Sequence, residues 1–84
     1  MDDIETAVKS IILKVAGLPD KPEKLSDSAY LWELGYNDIM CDDLAEELDK
    51  YVIAEKPASG VNSSELSTTI TVEVCVSIIK LKLI

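Results

Sequence analysis

The chain has 84 residues, and its 16 acids against 8 lysines, with no arginine and no histidine, give a net charge of −8. This length holds one domain with a small core, for which an apolar fraction of 48% is sufficient. The lack of histidine excludes Ser-His-Asp and Cys-His nucleophile pairs and most zinc sites, and the negative charge repels nucleic acid and anionic lipid while favouring basic protein patches.

Residues 2–16 read as a first helix. Ile4, Val8, Ile11, Ile12 and Val15 recur at helical spacing and form one stripe. Asp2 with Glu5 three residues on has the form of a capping box, and acids there suit the positive end of the helix dipole. Gly17 and Pro19 end it. Residues 17–29 form a long connection, since Pro19, Pro22 and alternating charges argue against a helix. Leu18 and Leu25 are expected to pin it to the core. Residues 29–34, AYLWEL, suit a short helical turn that packs Leu31, Trp32 or Leu34 inward. Gly35 then turns the chain.

The stretch 34–52, LGYNDIMCDDLAEELDKYV, holds a second helix with two unlike faces. At 100° per residue, Met40, Cys41, Leu44, Ala45, Leu48, Tyr51 and Val52 share the inner side. Asp38, Asp42, Asp43, Glu46 and Asp49 lie opposite, and an apolar residue, Ile39, stands among them. From Glu33 to Asp49 there are seven acids and no lysine. Read as a calcium loop, residues 38–49 fail, because Met40 and Asp43 occupy positions that require an oxygen ligand and a glycine. By itself the acidic face reads as a solvated surface.

Pro57, Gly60 and several serines make residues 53–68 a loop, in which Glu65 and Leu66 can contribute to a short third helix. Residues 70–84, ITVEVCVSIIKLKLI, admit two readings. Alternating β-branched residues favour a strand. A strand, however, needs a bulge at Ile78-Ile79 and a partner that no other segment supplies. A helix places Val72, Cys75, Val76, Ile79 and Leu83 on one stripe, with Thr69 or Thr71 as cap, and helix is the expectation. The run is too short to span a bilayer and contains Glu73, Lys80 and Lys82, so no membrane insertion is expected. Cys41 and Cys75 form no CxxC and read as buried free thiols of a reducing compartment. No basic stretch followed by an apolar one opens the chain, so no signal peptide is expected and the cytoplasm is the expected location.

Leu34-Gly35-Tyr36-Asn37-Asp38-Ile39 resembles the motif Leu-Gly-x-Asp-Ser-Leu that opens the second helix of acyl carrier proteins. Leu34 and Gly35 match, Asn37 takes the place of the motif Asp, and Ile39 that of the Leu. Asp43-Leu44 stands where the family usually has Glu-Leu, and Val52 and Pro57 fit the end of that helix. The resemblance implies an all-α fold, a small four-helix bundle of acyl-carrier type with a long first loop, in a single domain spanning residues 1–84. It implies a non-enzymatic, monomeric shuttle of fatty-acid, polyketide or related thioester metabolism. Such a shuttle docks on basic surfaces of synthases and transferases through Ile39, Asp42, Asp43, Glu46, Glu47 and Asp49. In the family, 4'-phosphopantetheine is attached to the motif Ser. Asp38 stands at that position and has no hydroxyl, so no cofactor is expected there. Three readings of Asp38 stand side by side. The chain is a carrier-like protein without its attachment site, or Asp has been put in place of Ser in this chain, or the chain lies outside the family. A regulatory or adaptor protein that reuses the carrier fold without acylation is the alternative function.

Overall fold

In a computed structural model describing residues 2–84, three α-helices carry the fold: α1 (Asp3–Ala16), α2 (Asp38–Glu55) and α3 (Val72–Leu83). Three short 3-10 turns punctuate the connections, at Pro22–Lys24, Leu31–Leu34 and Ser63–Glu65. The final segment is therefore helical, and strand pairing in the described residues is limited to one antiparallel bridge between Tyr30 and Thr71. Only three α-helices are present among the described residues. Where a short third helix was expected, Asn62 caps a single 3-10 turn and Leu66 alone is buried. The stretch after Gly60 is rich in Asn, Ser and Thr, which favour caps and turns over helix interiors.

Each helix begins on a side-chain cap. Asp2 accepts the Glu5 N–H at 2.7 Å, Asn37 the Met40 N–H at 2.9 Å, and Thr71 the Val74 N–H at 3.2 Å. Each cap satisfies a donor that has no partner inside its helix. Gly17 ends α1 in the left-handed region at φ 69°, where the Leu18 N–H reaches back to the Leu13 carbonyl at 3.0 Å. Gly35 repeats the device at φ 92° after the second 3-10 turn, and Tyr36 N–H reaches the Leu31 carbonyl at 3.1 Å.

The long connection before α2 is sewn to the start of α3. Leu31 N–H donates to Ile70, and Trp32 N–H to Thr68. In return, Val72 and Glu73, in the first turn of α3, donate to the carbonyls of Ala29 and Asp27. The unpaired donors of a helix start thereby fix a loop that has no regular structure of its own.

α1 packs against both α2 and α3, and α2 against α3. The core they enclose comprises Val8, Ile12 and Leu13, then Cys41, Leu44, Ala45, Leu48 and Val52, then Val72, Cys75, Val76 and Ile79. Leu25, Leu31, Tyr36 and Leu66 close it from the connections, and Leu18 packs against it half-buried. The radius of gyration is 11.5 Å, close to the roughly 12 Å expected for a folded chain of this length.

Candidate functional site

The turn at Gly35 and the cap at Asn37 place Asp38 as the first residue of α2, where it is exposed. Ile39 follows at 72% exposure, and Asp42, Asp43 and Glu46 are exposed along the next two turns. The helical repeat sets Asp38, Asp42 and Glu46 in one row and Ile39, Asp43 and Glu46 in the row beside it. The result is an acidic strip with one isoleucine at its N-terminal end. An isoleucine this open contributes almost nothing to the core, so burial does not account for it.

The other two acids named for docking are engaged within the fold. Glu47 is half-buried, 3.8 Å from the Lys14 ammonium of α1 and 3.7 Å from Lys50. Asp49 is half-buried, and its Oδ1 accepts the Val61 N–H at 2.7 Å. Asp49 shares the strip's helical face, but the loop after α2 folds back over that turn and takes its carboxylate. Gly60 is part of that fit, since a Cβ there would stand 3.0 Å from the same oxygen.

Lys50 lies 3.9 Å from Glu46 and marks the C-terminal limit of the strip. A shallow cleft of about 270 Å³ between Lys14, Val15, Asp43, Glu46 and Glu47 flanks it on the α1 side. A second, of about 310 Å³, lies at the far end among Asp3, Ile4, Tyr51, Glu55, Lys56 and Leu83. Both carry charged walls, so neither is an apolar tunnel for an acyl chain.

Beneath the strip the reactive groups are silenced. Cys41 and Cys75 are free and buried. Burial pushes the Cys75 thiol up to about 12. Burial raises that of Cys41 as well, with the nearby Asp38 and Asp42 adding to the shift. Neither is a thiolate nucleophile near neutral pH. The Tyr36 hydroxyl, also raised by burial, donates to the Ile12 carbonyl at 2.6 Å and ties the start of α2 to α1. Among the described residues no group of three His, Cys, Asp or Glu side chains is placed to hold a metal ion, and no helix is long and apolar enough to cross a membrane. Residues 38–49 lie wholly within α2, which removes any ion-binding loop.

Three features are additional to the sequence reading. Tyr36 is core, although its polar tip gave no such signal. Lys9 is buried between Glu5 at 3.1 Å and Asp27 at 2.6 Å. Trp32, one of three residues named for inward packing, is 57% exposed and stacks on Tyr30, while Leu31 is buried and Leu34 half-buried. Comparison with protein-family models, curated proteins and solved structures gives no match.

Proposed function

We propose that this chain is a carrier-like docking domain of acyl or related thioester metabolism. In this reading its acidic second helix engages basic surfaces of synthase or transferase enzymes, and Asp38 carries no phosphopantetheine. Three α-helices around one apolar core are compatible with this reading, in which the 3-10 turn at Ser63–Glu65 stands where the carrier type has its short third helix. One observation carries the reading. The position that resembles the attachment serine opens α2, is exposed behind the Gly35 turn, and has exposed Ile39, Asp42, Asp43 and Glu46 beside it.

The mechanism is electrostatic steering followed by apolar seating. Like charges grouped on one helix raise the rate of encounter with a basic patch, and salt weakens that effect. Ile39 then supplies apolar area at the contact. The lack of a hydroxyl at Asp38 favours a second reading as a non-acylated regulator or adaptor. The loop serines are poor substitutes for the attachment site. Ser59 donates to the Lys82 carbonyl at 3.3 Å and Ser64 to Asn62 at 3.2 Å, and neither opens an α-helix.

Incubation with a promiscuous phosphopantetheinyl transferase and coenzyme A, followed by intact mass, tests the proposal. The Asp38→Ser variant is expected to gain the mass of one arm and the chain as given none. Gain by the unaltered chain moves attachment to another serine. No gain by either removes transferase recognition and favours the adaptor.

A further inference from the structure

Tyr30 and Trp32 form an exposed aromatic stack, with ring centroids 6.1 Å apart and planes inclined by 16°. Their exposures are 42% and 57%, so a large part of each ring stays in water. The backbone beneath them is nevertheless fixed. Tyr30 N–H donates to Glu33 Oε1 at 2.9 Å, Tyr30 bridges Thr71, and Trp32 N–H donates to Thr68 at 3.0 Å. Leu31, between them, is fully buried and anchors the turn. Two large rings are thus presented to solvent on a rigid base, which lowers the entropy lost when something binds.

The turn that carries the stack leads directly into α2. The Trp32 carbonyl accepts the Gly35 N–H at 3.1 Å, two residues before the cap of α2. The ring faces carry negative potential, Glu33 is exposed on the same turn, and the whole chain has a charge of −8. Those charges disfavour a nucleobase with its phosphate. They suit a planar, weakly hydrated cation, and the guanidinium of arginine stacks on aromatic faces better than the ammonium of lysine.

We propose that the Tyr30–Trp32 stack is an arginine-binding contact, taking a guanidinium from a basic segment of the protein partner that docks on α2. The partner's charge rests on the docking reading above, whereas the preference for arginine rests on the rings alone. The test uses two probes, a hexa-arginine and a hexa-lysine peptide, titrated calorimetrically into the intact chain at fixed salt. Trp32 emission provides a second signal, since the chain has one tryptophan. Two variants are compared, Trp32→Leu, which keeps apolar area but removes the ring, and the triple change Asp42→Asn, Asp43→Asn, Glu46→Gln. Circular dichroism verifies that both fold.

The arginine peptide is expected to bind the chain about two- to fivefold tighter than the lysine peptide beyond the ratio seen in Trp32→Leu. The triple variant is expected to weaken both peptides alike and keep their ratio. An arginine preference that survives unchanged in Trp32→Leu overturns the aromatic contact and leaves the docking strip standing. Equal affinity of chain and triple variant overturns the strip and leaves the aromatic contact. No binding of either peptide overturns both.

Discussion

Tyr36 shows how much one side chain can hold in a core this small. Its ring is buried and its hydroxyl satisfies the Ile12 carbonyl across the α1–α2 boundary. Tyr36→Phe keeps the ring and loses the bond, so a loss of about 1 kcal/mol is expected in urea unfolding. Melting should fall by about 4–8 °C in a domain of this size. Lys9 is the opposite case, a charge kept inside by its partners. Burial works against its ammonium, but hydrogen bonds to Asp27 and Glu5 outweigh that and raise its pKa. Periodicity could not foretell this, because one of the two acids is supplied by a loop far along the chain. The start of α2 was legible from the turn signal at Leu34-Gly35. The separate fates of Glu47 and Asp49 were not, since each depends on an element that packs against α2 rather than on α2 itself.

At the scale of elements, α3 depends on its first turn. Thr71 caps it, and the Val72 and Glu73 N–H groups hold the long connection by the carbonyls of Ala29 and Asp27. Thr71→Ala is expected to cost about 1 kcal/mol. Amide exchange should accelerate at Leu31 and Trp32 as well, because their acceptors flank the same turn. The loop after α2 hangs on one carboxylate. Asp49→Ala should speed exchange of the Val61 amide while leaving amides in the middle of α1 protected, which separates loop release from global opening. The three helices were readable because stripe, cap and stop signal agreed for each. For the last segment, β-branched residues argued for a strand, and the stripe of Val72, Cys75, Val76 and Ile79 decided for helix because it meets α1 and α2. Where a short third helix was expected there is one 3-10 turn, because Asn62, Ser63, Ser64, Ser67 and Thr68 favour turns and Leu66 is the one side chain of that stretch in the core.

For the whole molecule, the proton balance of the interior predicts alkaline lability. Cys75 is raised from 9.0 to about 12 by burial, and Cys41, Tyr36 and Lys9 are raised above their ordinary values of 9.0, 10.0 and 10.5. The folded chain therefore holds these protons after the unfolded chain has released them. The stability these four groups contribute is complete below about pH 9 and falls as pH rises toward 12, Cys75 alone contributing roughly 4 kcal/mol over that range. Denaturant midpoints measured between pH 7 and 11 should hold to about pH 9 and fall above it, and Cys75→Ala should delay the onset even though it loosens the core at neutral pH. The net charge of −8 adds a second dependence, with moderate salt expected to raise the melting temperature by screening self-repulsion. The interior placement of both thiols has a practical consequence as well. The chain's sulfhydryls lie in the core, one on α2 and one on α3. A thiol reagent in plain buffer then reacts only as often as the fold opens, so the labelling rate reads the opening equilibrium without denaturant. Equal rates at Cys41 and Cys75 would mark a single cooperative unit. Faster labelling at Cys41 would show α2 lifting away while the rest of the bundle stays closed.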